Sequence, residues 1–243
     1  MNTVSWTALG LMAAAALACA TACEDAGPER DRSPLYRWGA EDQPSSGERG
    51  NLLITEINFA GSVTDDGTRD ADDIFIELQN KHPRPINPSG WHLAVEGDVN
   101  KSWRIPRIEE PIQPNDYFVI ARKKDGAFAD IARERGTFIE DFELGSRRVS
   151  IELRDFDLRL MEQVGSEDNE VFSGGWDTVS VRTMERAELI FGNQGGDARN
   201  WHAYSEPEGF STVAEGWRKY TLASPGAANS ADYSGSSTSG NFE

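Results

Sequence analysis

The sequence predicts an all-β sandwich. Three observations carry this expectation. Apolar residues recur with a period of two in many short runs. Turn-forming Gly, Pro, Asn and Asp separate those runs. Only one stretch has helical periodicity. The central stretch is Asp73 to Asn80, where Ile74, Ile76 and Leu78 alternate with Phe75, Glu77 and Gln79. It reads as a strand with one buried face. Lys81 to Ser89, with Pro83, Pro85 and Pro88, must be a turn, because proline cannot donate to a strand ladder.

The N-terminal region precedes any of this. Ala8 to Ala22 is an alanine- and leucine-rich run, too short to span a bilayer comfortably but suited to a signal peptide over residues 1–22, although no Lys or Arg precedes it. Ala20-Thr21-Ala22-Cys23 resembles a bacterial lipoprotein cleavage box, with Ala20 where leucine is usual, and it fits Cys23 better than Cys19. Cys23 is therefore the expected lipidation site. The alternative is a secreted protein cut nearby, with incidental cysteines. Residues 23–50, rich in Pro, Ser, Gly and charge, read as a flexible tether.

A domain is expected over residues 51–229. Leu52 to Phe59 is the first strand, and Gly61 to Asp73 a polar loop. Ile74 to Leu78 and Gly90 to Val95 are strands, and Ser102 to Pro106 is a short extended piece. Tyr117 to Ala121 is apolar on both faces and so central. Ala127 to Arg135 is the helix, with Phe128, Ile131 and Ala132 on one face and Gly136 as its stop. Arg148 to Arg154 alternates with Val149, Ile151 and Leu153 inward, and Leu158 to Val164 pairs with it as a hairpin through Asp155 to Asp157. Gly165 to Asp177 reads as loop and Thr178 to Arg182 as a short strand; Met184 to Arg199 is ambiguous, with a helical turn open over Glu185 to Ile190. Asn200 to Tyr204 is extended, and Tyr220 to Asn229 is an end segment. Residues 230–243, rich in Ser and Gly, are expected to be a disordered tail. Trp91, Phe75, Trp103 and Trp201 are expected to fill the core. Gly90 and Gly226 suit positions needing unusual backbone angles.

A net charge of −17 argues against binding to a nucleic-acid backbone or to anionic lipid head groups. Both cysteines, Cys19 and Cys23, lie at the N-terminus, so neither a disulfide nor a thiol nucleophile serves the body of the chain. No H-E-x-x-H or G-x-S-x-G motif is present. His82, His92 and His202 lack metal-ligand spacing, and the acidic residues are too numerous for any pair to stand out as a catalytic dyad. Asp65, Asp66, Asp70, Asp72 and Asp73 are dense enough to offer calcium its oxygens, but their spacing is not that of an EF-hand, and a solvated loop explains them as well. No cofactor other than calcium is suggested. Trp176 and Trp217 lie in Gly-containing loops and are candidate exposed anchors, with peripheral packing the alternative.

The pattern Ile54-Thr-Glu-Ile-Asn58, then Phe75-Ile-Glu-Leu-Gln-Asn80, then Ser89-Gly-Trp-His-Leu93 resembles the lamin tail domain family. Ile112 to Ala121, Leu144 to Asp155, Leu160 to Val164, Asn200-Trp201 and the closing Ser224-Pro-Gly-Ala-Ala-Asn229 follow in the order of that family. The enlarged loop Gly61 to Asp73 and the insertion-like region Met184 to Gly192 depart from it. The resemblance implies an immunoglobulin-like sandwich that serves interaction or scaffolding without catalysis. The expected protein is an exported, lipid-anchored lipoprotein of the bacterial cell envelope that binds another envelope protein or a polysaccharide, and not nucleic acid. Two alternatives remain open: a calcium-dependent adhesion module using Asp65 to Asp73, and a hydrolase built on His202 and carboxylates.

Overall fold

The structure, a computed structural model, describes residues 49–187, 195–207 and 209–232. The expected signal peptide, Cys23, most of the tether and most of the C-terminal tail lie outside them.

Among the described residues, fifteen short strands form four sheets, joined by one short α-helix and a 3-10 turn at Ala198–Asn200. The strands are β1 (Leu52–Asn58), β2 (Ser62–Val63), β3 (Arg69–Asp70), β4 (Phe75–Asn80), β5 (His92–Gly97), β6 (Lys101–Arg104), β7 (Tyr117–Ala121), β8 (Gly136–Phe138), β9 (Arg148–Arg154), β10 (Leu160–Glu170), β11 (Gly175–Trp176), β12 (Val181–Arg182), β13 (Met184–Arg186), β14 (Trp201–Ala203) and β15 (Thr221–Leu222). The helix α1 spans Ala129–Arg135. The larger sheet runs β14-β13-β1-β4-β7-β8 and the facing sheet β10-β9-β5-β6. A small sheet, β11-β12-β15, and the hairpin β2-β3 flank them. Ile54, Ile57, Ile76, Leu78 and Ile120 of the larger sheet bury against Leu93, Val95, Ile151, Leu153 and Val164 of the other in one cluster. The all-β sandwich with a short helix is the architecture expected. Trp91, Trp103 and Trp201 are buried in that cluster, and Gly90 and Gly226 have the positive φ their positions demand.

Several local expectations are corrected. β4 is buried on both faces, not one. Its second face, with Phe75, meets α1 and a second cluster of Val119, Ala121, Ala127, Phe128, Ala132, Val213 and Ala223. Phe75 and Phe128 stack with centroids 4.4 Å apart. The polar loop after β1 contains the hairpin β2-β3. The loop expected from Gly165 instead continues β10 to Glu170. The stretch left open from Met184 starts as strand, because β13 pairs with both β1 and β14, and residues 188–190 lie outside the described residues. Gly136 ends the helix with extended backbone, and a Cβ there would overlap the Val119 carbonyl. Close approach of β8 to β7, not a left-handed turn, is its requirement. The domain also runs past Asn229, since Ser205 donates from N–H to Ser230 Oγ and from its hydroxyl to the Ala231 carbonyl.

β1 carries the feature that shapes the rest. Ile54 opposes Leu78, yet Glu56 opposes Glu77 and Ile57 opposes Ile76. Thr55 is the extra residue of a bulge. Strand alternation would place Glu56 on the same side as Ile54, in the core, and the bulge turns it to the other face.

Candidate functional site

Following the register across the larger sheet gives a single row: His202, Glu185, Glu56, Glu77, Val119 and Gly136. Three carboxylates and an imidazole therefore lie side by side on the second face. All four are buried. Directly opposed residues in a sheet have Cβ atoms about 4.5–5.5 Å apart. Ionised together, these groups would repel strongly with little water to screen them.

The segment Ser224 to Ser230 lies over this row and supplies donors to each glutamate. The Ser224 N–H donates to Glu56 Oε1 at 2.9 Å, and the Ser224 hydroxyl donates to Glu185 Oε1. The Gly226 N–H donates to Glu77 Oε2 at 2.6 Å. Ser230 donates to Glu185 Oε2 from its N–H at 3.1 Å and also from its hydroxyl. Asn229 Nδ2 spans the Thr55 and Arg186 carbonyls, 2.9 Å from each. From the strands, Thr55 donates to Glu77 at 2.8 Å and Thr183 to Glu56 at 2.5 Å. Gly226 has φ +78°, and a Cβ there would overlap Ile131, so α1 closes over the segment from outside.

Burial dominates the electrostatics. It pushes Glu77 up to about 8, against the N–H of Gly226 and the hydroxyl of Thr55, which favour the anion. Burial, and then the charges of Glu185 and Glu77, push Glu56 well above the ordinary carboxylate range. Burial raises Glu185 too, although Ser224 and Ser230 oppose it. Protonated glutamates suit the geometry, because the Thr and Ser hydroxyls can reverse and accept the carboxyl proton.

His202 Nδ1 lies 3.0 Å from the Ala203 carbonyl, which can only accept, so Nδ1 carries a proton. It is 3.9 Å from Glu185 Oε2. Nε2 has no hydrogen-bond partner. Ser224, Glu185 and His202 thus meet in an order unlike a nucleophilic triad. The serine bonds the carboxylate, and no imidazole nitrogen is hydrogen-bonded to its hydroxyl. The three histidines lie apart, with His92 in the facing sheet and His82 in the turn after β4.

The five aspartates of the first loop have separate protein partners. Asp65 accepts from the Lys219 N–H, Asp66 from Thr64 and Thr68, Asp70 from Lys123, and Asp72 from Arg122. Asp73 is buried under Gly126 and accepts from Ser62 and the Ala127 N–H. Among the described residues no group of three or more His, Cys, Asp or Glu is placed to hold a metal ion.

The two candidate tryptophans differ. Trp217 is half-buried and packs on the Phe75–Phe128 cluster, so it is not an exposed anchor. Trp176 is 45% exposed at the end of β11. The Arg69 guanidinium sits 4.0 Å from its ring centroid and is tied to the Ala60 carbonyl at 2.9 Å. The turn after Trp176 is fixed by Asp177, which accepts from the N–H groups of Val179 and Ser180. Val179 stands 60% exposed on that turn, and Thr178 holds φ +83°, unusual for a β-branched residue.

No protein-family model and no curated protein matches the chain. Among solved structures it is similar to a DUF4876 family protein from Bacteroides thetaiotaomicron VPI-5482. The two are 10% identical with a TM-score of 0.44, over 61% of this chain and 65% of that one. The chain thus spans less than two thirds of that protein's length.

Proposed function

We propose that this chain is a lamin-tail-like binding module, exported and held at the bacterial envelope by a lipid on Cys23, which engages an envelope protein or surface polymer without catalysing a reaction. The observation that carries the binding role is the Trp176 platform. A large aromatic ring stays exposed while Arg69 and the Asp177 turn hold it in place. Aromatic and arginine side chains fixed before binding lose little entropy on contact, which is why they dominate recognition surfaces. The strained Thr178 backbone at the same turn supports this, since such strain persists where a loop must hold a defined shape.

The lamin-tail reading is supported by how its segments meet. Glu56 of the first segment and Glu77 of the second lie opposite one another, and the closing Ser224 and Gly226 bond to them. Distant stretches that resemble the lamin tail domain in their order therefore form a single contact.

The test uses the full chain, wild type and Trp176→Ala, captured by crosslinking in the source envelope. One dominant partner held by wild type and lost from Trp176→Ala, with melting temperature unchanged, supports the proposal. Equal capture by both proteins overturns the assignment to Trp176. Incorporation of labelled fatty acid, abolished by Cys23→Ser, tests the anchor separately.

A further inference from the structure

We propose that Ser224 to Ser230 is a pH-gated clasp, closed while the glutamate row beneath it holds protons and released as those protons leave.

Most of the hydrogen bonds of the clasp go to the glutamate row or to the strand carbonyls beside it. Its amides at Ser224, Gly226 and Ser230 are each bonded to a different glutamate of the row, in the order Glu56, Glu77 and Glu185. Its side chains add Ser224 and Ser230 to Glu185, and Asn229 to two strand carbonyls. Other bonds tie it to the neighbouring loop: Thr212 donates to the Pro225 carbonyl at 2.8 Å, and Ser205 donates to Ser230 Oγ from its N–H at 2.9 Å and its hydroxyl at 3.1 Å. Glu56 Oε2 and Asn229 Oδ1, both buried in this layer, have no hydrogen-bond partner. An anionic Glu56 would leave one oxygen buried without a donor, which is costly.

The charged and titratable groups facing the row come from four directions. His202 lies on β14, with Tyr204 and Glu206 after it. Arg182 of β12 donates to the Tyr204 carbonyl at 2.8 Å. Arg135 of α1 acts on Glu77 and favours its anion. The row itself brings Glu56, Glu77 and Glu185. Cations are outnumbered, so ionisation of the row is resisted by repulsion as well as burial. Lifting the clasp admits water, which solvates the anions and relieves both costs. The open form therefore releases protons that the closed form keeps. The equilibrium shifts toward opening about tenfold per pH unit for each such proton, from roughly pH 5 up to the value of about 8 that Glu77 holds when closed.

Amide hydrogen exchange in the full chain tests this. Protection factors divide out the intrinsic pH dependence of exchange. The amides of Ser224, Gly226 and Ser230 are expected to be less protected than those of β4 and β7 at every pH, and their protection to fall about tenfold or more per pH unit between pH 5 and 8. Glu77→Gln keeps shape and hydrogen bonding and is expected to flatten this fall at Gly226. Glu185→Gln makes the same test at Ser230, should the first variant fail to fold. Protection that does not change with pH overturns the proposal. So does protection equal to that of β4 and β7, which would mean the segment opens only when the whole sandwich unfolds, and so does an unaltered slope in the variant.

Discussion

Replacing Glu77 by glutamine should make the sandwich less sensitive to pH. In the folded chain Glu77 is raised from about 4.5 to about 8, chiefly by burial. The unfolded chain releases this proton as pH passes about 4.5, while the folded chain keeps it to about 8. Folding thus takes up a proton inside that window, and stability falls as pH rises through it. The stability is fully present below the unfolded value and lost by the folded one. Each unit corresponds to about 1.4 kcal/mol, so the whole window is worth on the order of 5 kcal/mol for a fully buried group. Glu56 and Glu185 are raised as well and add to the slope. Glutamine is neutral throughout, so Glu77→Gln should match wild type near pH 5 and exceed it near pH 8. The carboxylates held low by hydrogen bonds, Asp66, Asp98, Asp177 and Asp197, lose their contribution only below the window, whereas His92, lowered by burial, opposes the fall up to its ordinary value of 6.5. Urea unfolding at half-unit steps from pH 5 to 8 measures this, with the m-value checked for constancy. Wild-type stability that is flat or rising over this range would refute the reasoning, as would a variant with the wild-type slope.

Other consequences are equally direct. Phe75→Ala should cost about 3–5 kcal/mol in urea unfolding, because Phe75 of β4 is fully buried against Phe128. Arg186→Met leaves Glu162, its partner at 3.3 Å, buried without its ion pair, beside the Gln163 N–H that donates to it at 3.0 Å, and should cost about 3–5 kcal/mol. Replacing both Arg186 and Glu162 by apolar residues should recover much of this. Calcium or a chelator should leave the melting temperature unchanged, because the aspartates of the first loop are spent on separate partners. A calcium-induced rise abolished by Asp→Asn changes there would restore the adhesion reading. Trp176→Ala should change stability by less than about 1 kcal/mol, since its ring is half in solvent.

Much of the fold was legible because strands with one core face announce themselves by alternation. Val149, Ile151 and Leu153 behave as their spacing requires. The glutamate row was hidden for the same reason. Alternation alone places Glu77 on an outer face, and nothing local says that α1 and residues 211–230 cover that face. One signal was present. Ile54 and Ile57 are three apart, which no unbroken strand can bury on one side, so a bulge at Thr55 could have been inferred. Glu185 was missed because β13 is only three residues long, too short for any period to show. The exposure of Trp176 follows from its Gly-flanked loop, whereas Trp217, in a similar context, packs inward through contacts made far away in sequence.

The central claim is that the surface around Trp176 meets a partner. A photoreactive amino acid at Val179, which is exposed beside Trp176, would report it in the living cell. The account predicts one dominant crosslinked product at this site, weakened by Arg69→Ala and lost with Trp176→Ala. A pattern no different from that of the same probe at Glu109, on the exposed turn after Ile108, would contradict it.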